Sequence, residues 1–426
     1  MLFNRQVAAC TIVMFFITFN PANTYASEEN KDPYADNLLG NWDGIRNKIA
    51  DSGVDITVEY KADFWSNISG GIKRGNNYLD NLDVKFELDG EKLFGIKGNK
   101  SLVYFVNNNG GKPNANQVGS VEGIDNIETN TNTAKLYELW MEQSFLAGEL
   151  ALLVGLHDLN SEFMVNDMTG NFIHPTFQVN QELAQTGKNG PSVFPNISLA
   201  GRIKYTPTEE TYAMAAVFDG VPGDLNRPHG THVNLRASDG LLMIAEAGFT
   251  PKATDQDDSQ PNKFALGAWT YTKRFDDLVD VDGAGNPIKK RSEGAYLLSS
   301  YQFFHDKEAG HDLGAFFRAG IGDGNSGQVD WFYATGVVAN GWVPTRPDGE
   351  IGLGFTHSHN GSKYVRSVIA ASGTTDRNEY GIELYYRDKL YAGVSIQPEL
   401  QYIINPGTNP EVDNATIGGI RFGINF

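Results

Sequence analysis

The chain has 426 residues with 34 Lys and Arg against 52 Asp and Glu, a net charge of -18, and one cysteine, Cys10. An acidic excess of this size excludes the phosphate backbone of nucleic acid as a partner, and a lone cysteine excludes a disulfide framework or a thiolate metal centre. A mean hydropathy of -0.35 argues against a helical membrane protein but leaves room for a membrane barrel, which hides its lipid face in every second residue.

At the amino-terminus Arg5 precedes an apolar run from Val7 to Phe19, and Thr24, Tyr25 and Ala26 follow as a small-residue cleavage site. This pattern predicts a secretory signal peptide over residues 1–26, because the run is too short to cross a bilayer as a helix. Its removal takes away Cys10 and the one basic residue Arg5. The exported chain then divides into a polar segment with a short helix, 27–53, and a membrane domain, 54–426. Leu39, Trp42, Ile45, Arg46 and Ile49 recur at helical spacing, with Ser52 and Gly53 as a stop.

Strand signals begin at Val54. Val54, Ile56, Val58, Tyr60, Ala62 and Phe64 alternate with Asp55, Thr57, Glu59, Lys61, Asp63 and Trp65, and Leu82 to Leu88 repeats the pattern. Further strands are expected at Ser101 to Asn107, Lys135 to Gln143, Glu149 to Gly155, Ile197 to Tyr205, Thr211 to Phe218, Gly240 to Phe249 and Lys263 to Thr272. The series continues with Gly294 to Phe304, Asp312 to Ile321, Gln328 to Val338, Gly349 to His357, Asn378 to Tyr386 and Tyr391 to Ile403. It closes with Ala415 to Phe426, where Ile420, Phe422, Ile424 and Phe426 share one face and Arg421, Gly423 and Asn425 the other. A last strand ending on Phe is the usual form of a bacterial barrel's closing strand. The weaker stretch Tyr364 to Ala370 is assigned to a loop, since single-chain bacterial barrels have even strand numbers. The predicted fold class is therefore all-β: a transmembrane antiparallel β-barrel of sixteen strands with a short amino-terminal helix. Alternating strand direction places the long connections Asn108 to Ala134 and Leu156 to Asn196 on the extracellular side and short turns on the periplasmic side. The turn from Pro251 to Asn262 is longer than this scheme expects.

Sixteen strands enclose a lumen wide enough for water, so passage of solute is the expected function. The loop Leu156 to Asn196 is the candidate constriction, being rich in amide and aromatic side chains such as Phe163, Asn166, Asn171, Phe172, His174, Phe177, Gln178, Asn180 and Gln181. Opposing the apolar faces gives Glu59, Lys61, Asp63, Trp65, Glu138, Trp140, Glu142, Arg202, Lys204, Gln397, Glu399 and Gln401 as candidate lumen residues. Both charge signs, amides and aromatics suit a neutral polyol with apolar ring faces better than an anion, which calls for rings of Lys and Arg.

The chain also resembles the OprB-type carbohydrate-selective porins of bacterial outer membranes. The resembling segments are Leu39-Gly40-Asn41-Trp42-Asp43-Gly44-Ile45-Arg46, Leu136-Tyr137-Glu138-Leu139-Trp140-Met141-Glu142-Gln143 before Val154-Gly155, Glu162-Phe163 and Asn171-Phe172-Ile173. They end with the long run Gln397-Pro398-Glu399-Leu400-Gln401-Tyr402-Ile403-Ile404-Asn405-Pro406-Gly407. The resemblance implies a sixteen-stranded outer-membrane barrel that passes monosaccharides such as glucose down their gradient, without a cofactor and without catalysis. It nominates Glu138, Trp140, Glu142, Gln397, Glu399 and Gln401.

Rival readings rest on less. An enzyme would want a Gly-x-Ser-x-Gly elbow, which is missing, and the adjacent His157 and Asp158 are poorly spaced for a triad. His357 and His359 share a face without a third metal ligand, and Asp280, Asp282 and Asn286 lack the terminal Glu of a calcium loop. A general or cation-preferring diffusion porin is the alternative function, given the acidic balance. An adhesin barrel with a plugged pore is a further one. Small carbohydrates, outer-membrane lipid and lipopolysaccharide are the expected partners, in a homotrimer or a monomer.

Overall fold

The computed structural model describes residues 32–251 and 262–426. The expected signal segment 1–26, and most of the turn that the strand pattern left unexplained, lie outside the described residues. Sixteen strands form a single closed antiparallel barrel in which each strand pairs with its sequence neighbours and the first pairs with the last. They are β1 (Val54–Ser69), β2 (Gly75–Asp89), β3 (Asn99–Gly110), β4 (Thr133–Phe145), β5 (Leu150–His157), β6 (Ser198–Thr208), β7 (Thr211–Asp219) and β8 (Leu241–Phe249). The second half comprises β9 (Lys263–Val281), β10 (Pro287–Asp306), β11 (His311–Gly322), β12 (Val329–Asn340), β13 (Glu350–Asn360), β14 (Asn378–Tyr391), β15 (Val394–Ile404) and β16 (Ala415–Asn425). Every strand read from the sequence is present at its expected place.

Period-two alternation decides which side chains face out. Phe64 is 48% exposed, Val154 59% and Leu266 67%, whereas their neighbours Asp63, Leu153 and Ala265 are buried inside. Large apolar side chains left uncovered on one continuous face make sense only against hydrocarbon. No helix of the described residues is long and apolar enough to cross a membrane, so the strands alone make the crossing.

At the short-turn end the amino-terminal segment fastens the seam where β1 meets β16. The Leu38 backbone N–H donates to Asn425 O at 2.7 Å, and Asn37 Nδ2 donates to Phe426 O at 2.9 Å. The helix predicted from Leu39 begins later, as α1 (Ile45–Asp51). Trp42, Asp43 and Gly44 all have positive φ, which no right-handed helix accommodates, and this turn lets Arg46 point at the seam. Its guanidinium lies 4.1 Å over the Tyr34 ring and 5.2 Å from that of Trp42.

The stretch Tyr364 to Ala370 forms most of a helix, α2 (Ser362–Ala370), inside the β13–β14 connection. It is no strand because its apolar residues Val365, Val368 and Ile369 repeat at three and four, not at two. Lys363 on this helix reaches Asp277 and Asp280 of β9, the latter at 2.7 Å, and ties the connection to the long β9–β10 hairpin.

Candidate functional site

An empty barrel of this size would be a wide hole. Two loops from the long-loop end turn inward and fill most of it. In the 158–197 loop, Phe163, Met164, Met168, Phe172, Phe177 and Leu183 are buried against inward residues of β7 to β14. Phe172 lies 4.3 Å from Phe177 and meets the rings of Phe316 at 5.3 Å and Tyr385 at 4.9 Å edge to face. Each buried ring contributes about 2 kcal/mol by leaving water, enough in sum to hold a loop that a polar sequence would leave outside. The wall makes room for them: a Cβ at Gly354 would fall among the atoms of the Phe177 and Phe172 rings.

Glutamates on the wall pin the loop backbones. Glu383 accepts from the N–H groups of Ile173 and His174 at 2.7 and 2.9 Å, and Glu246 accepts from Met164 N at 2.9 Å. Glu379 holds the 111–132 loop through Ser120 Oγ at 2.5 Å and the N–H groups of Val121 and Glu122 at 3.0 Å. Arg318, fully buried, donates to Asn180 Oδ1 at 2.8 Å, to Gln178 O at 2.9 Å and to Phe177 O. Charge-assisted bonds of this kind satisfy loop amides and carbonyls that burial would otherwise strand. The two loops also bond each other, with Asn126 N donating to Ile173 O at 2.9 Å and Gln185 Nε2 to Val121 O at 2.9 Å. At this junction burial and the nearby Glu379 carboxylate push the Glu122 carboxyl up to about 8, and burial pulls the His174 imidazole down to about 3.

What remains open is bounded by a hydrogen-bonded arc and a stretch of wall. The arc starts at Arg421 of β16, whose Nη2 donates to Asn126 Oδ1 at 2.8 Å. Asn126 Nδ2 reaches Gln178 Oε1 at 3.4 Å, and Asn160 Nδ2 donates to Gln178 O at 3.0 Å. Two residues further, Glu162 receives Arg202 of β6 through Nε and Nη2, each at 2.8 Å. The inner faces of β1 to β4 close the ring with Glu59, Lys61, Lys85, Tyr104, Trp140 and Glu142, all part-exposed. Each arginine sits between carboxylates: Arg202 also meets Glu142 at 2.5 Å, and Arg421 meets Asp63 through two bonds of 2.7 and 2.6 Å. Guanidinium forks, carboxylates and side-chain amides thus surround an opening that also presents the Trp140 indole and the Tyr104 phenol. The Trp140 indole N–H has no hydrogen-bond partner among the described residues.

All twelve candidate lumen positions, Glu59, Lys61, Asp63, Trp65, Glu138, Trp140, Glu142, Arg202, Lys204, Gln397, Glu399 and Gln401, lie on the inner face, as the register of their strands requires. They are not brought to one place. Glu59, Lys61, Trp140, Glu142 and Lys204 are part-exposed, and Arg202 is buried between its acids. The remaining six are covered by loops, which corrects the expectation that they touch a solute. Trp65 is 2% exposed and donates its indole N–H to Asp125 of the 111–132 loop at 2.5 Å, so it offers no stacking face. Asp63 is consumed by Arg421, and Glu138 by the His157 ring at 3.1 Å and by Asp158 N at 2.7 Å. Gln397 donates to Asn171 O at 2.7 Å and Gln401 to Ile124 O at 2.9 Å, with Glu399 between them. These residues build the floor on which the loops rest. Strand alternation supplies the facing of a side chain but not what lies above it, and for that reason Asn126 and Gln178 could be found only as polar positions in loops.

His157 is clamped between Glu138 and Glu162, which take both its ring nitrogens, and stacks on Phe218, so among the described residues no serine completes a triad with it. His357 and His359 face outward, packed on the Trp331 ring at 4.5 and 5.0 Å, and no cluster of three or more acidic, His or Cys ligands occurs among the described residues. Asp282 accepts from the N–H groups of Ala284 and Asn286 and closes an ordinary hairpin turn.

Comparison with known proteins places this architecture. Porin B of Pseudomonas aeruginosa is 27% identical over 419 residues, covering 90% of each chain. A high-pH structure of Pseudomonas putida OprB superposes with a TM-score of 0.82 at 23% identity, over 92% of this chain and 99% of that one. OmpF of Salmonella typhi shares the fold more distantly, with a TM-score of 0.53 at 10% identity over 88% of this chain and 99% of that one. The model of the carbohydrate-selective porin family OprB matches residues 73–426. The chain belongs to the OprB family of carbohydrate-selective porins, channels of the outer membrane.

Proposed function

We propose that the chain passes small carbohydrates, monosaccharides such as glucose, by passive diffusion through the opening between the Arg421–Asn126–Gln178–Glu162–Arg202 arc and the β1 to β4 wall. The observation that carries this reading is the combination of paired charges and a part-exposed aromatic at that opening. Arg202 is neutralised on the spot by Glu142 and Glu162, and Arg421 by Asp63 and Asp125, so the rim offers fixed donors and acceptors without a ring of one sign. A hexose presents hydroxyls in the plane of its ring and C–H groups on its faces. The Arg421 guanidinium and the part-exposed carboxylates of Glu59 and Glu142 exchange hydrogen bonds with the former, and the Trp140 ring takes the latter. Each water removed from a hydroxyl is thereby replaced by a protein group, which keeps the crossing barrier low.

The carboxylates outnumber the arginines at both ends of the arc, which favours a second reading, a general or cation-preferring diffusion porin. Swelling of liposomes containing the exported chain separates the two. Glucose entering faster than an amino acid of similar or smaller size supports carbohydrate preference. Entry ordered by size alone, or favouring a cation salt, supports the second reading.

A further inference from the structure

The lipid-facing side of the barrel carries a groove that permeation does not use. Ala215, Ala245, Ala268 and Ala295 stand directly opposite one another on four consecutive strands, β7 to β10, and form a flat floor four strands wide. Ile203 on β6 pairs with Ala215, and Ile321 on β11 pairs with Ala295, so an isoleucine ridge bounds each side. The resulting groove is open to the outside, spans about 1010 Å³ and continues toward the short-turn end into a second of about 610 Å³ ending at Tyr205.

The chemistry above the floor changes in a fixed order. The next outward row toward the extracellular end is Thr270, Glu293 and Asp323, where hydrogen-bond acceptors replace methyl groups. Farther toward that end, four positions along β9 and two along β10 across a shift in register, Arg274 and Arg291 are direct cross-strand partners, both exposed. Like charges directly opposite on a sheet repel. Among the described residues neither guanidinium has an ion-pair or hydrogen-bond partner, while the pair beyond them, Lys289 with Asp276, is neutralised.

We propose that this surface binds a phosphorylated, acylated amino-sugar lipid of the outer leaflet. Acyl chains lie on the alanine floor between the two isoleucine ridges, and the sugar's amide and hydroxyl hydrogens meet Thr270, Glu293 and Asp323. A phosphate bridges Arg274 and Arg291 through their planar donor forks and relieves their repulsion. The sequence of apolar, acceptor and cationic rows repeats the sequence of groups in such a lipid, and the floor's depth explains why four neighbouring outward positions hold nothing larger than alanine. A second copy of the chain fits less well, because a twofold contact would set isoleucine ridge against ridge and leave the space over both alanine floors unfilled.

The test is lipid retention by the full exported chain, extracted from vesicles and read by native mass spectrometry. The vesicles contain a bisphosphorylated acylated glucosamine disaccharide, its dephosphorylated form, or phosphatidylglycerol of matched chain length. The expected result is one phosphorylated amino-sugar lipid retained by the parent protein, with retention reduced at least about tenfold in the double variant Arg274→Ala/Arg291→Ala and in Ala245→Phe. Sugar entry should stay unchanged in both, since neither site borders the opening, and that readout also certifies folding. Retention that ignores both variants, equal retention of the dephosphorylated lipid or of phosphatidylglycerol, or no retained lipid at all would overturn the proposal. A dimer mass lost in Ala245→Phe without any change in lipid would assign the groove to a second copy.

Discussion

The Arg46 guanidinium donates through Nη1 to the backbone oxygen of Phe426 at 2.7 Å, across 380 positions of sequence. A second nitrogen of the same group reaches Ile56 O, so one buried side chain holds both strands of the barrel seam. Arg46→Ala removes the side-chain donor to Ile56 O and leaves Phe426 O with Asn37 Nδ2 alone, and a stranded buried acceptor costs about 1–3 kcal/mol. The expected outcome is a markedly lower midpoint of heat-induced unfolding, read as gel mobility against temperature, with little change in sugar entry. Arg46→Lys should recover only part of the loss, because an ammonium cannot span both oxygens with a planar fork. An unchanged midpoint in Arg46→Ala would show that the amino-terminal segment rests on the seam without fastening it.

Arg318 governs the constriction from the opposite wall. Its donors satisfy the carbonyls of Phe177 and Gln178 and the Asn180 side chain. Removing it in Arg318→Ala strands these groups in a buried site and should free that part of the 158–197 loop. Single-channel conductance is expected to rise and its noise to grow, while the ratio of glucose to amino-acid entry falls toward that of size alone. A quiet channel of parental conductance would place the loop's stability in its aromatic packing.

Trp140 is expected to read the sugar. Trp140→Ala removes a ring face worth about 1 kcal/mol in a stacked contact, a factor of roughly five in relative permeation. Sugar entry should fall more than salt conductance does. Equal changes in both would mean that the ring merely shapes the opening.

The junction between the two loops should respond to pH on both sides of a plateau. Glu122, raised to about 8, holds a proton there that a solvent-released carboxyl gives up near 4.5. Its contribution is therefore complete below about 4.5 and is lost as pH rises toward 8. His174, lowered to about 3, acts oppositely: its contribution is complete above about 6.5 and is lost as pH falls toward 3. Between about 4.5 and 6.5 the contributions of Glu122 and His174 run in opposite directions and offset one another. Loop-opening events in single-channel records should be rarest in that window and grow more frequent above and below it. Glu122→Gln should abolish the alkaline rise and keep the acidic one; loss of both limbs together would implicate other groups.

How much of this was legible in the sequence depends on the kind of constraint. Facing along a strand is local, so the positions of Glu59, Trp140 and Arg202 on the inner wall followed from their own neighbours. Coverage is not local. Trp65 and Trp140 are indistinguishable as inward tryptophans on their strands, yet one is sealed by Asp125 and the other stays part-exposed on the inner wall. The helix at Ser362 shows the same limit in milder form: the loop assignment followed from parity of strand number, whereas its helical state followed from the spacing of its apolar residues.

By itself the sequence determined the barrel, its sixteen strands, its lipid and water faces and the membrane it crosses, because period-two alternation and turn chemistry act over a few residues and closure leaves no other arrangement without free edges. Only the tertiary structure decided where the passage runs. Two loops remote in sequence are drawn inward by aromatic burial and pinned by Glu246, Glu379, Glu383 and Arg318, and these contacts between distant segments convert most of the inner wall into a floor and leave one rim for the solute. Such contacts depend on distances across the lumen, which no local pattern encodes.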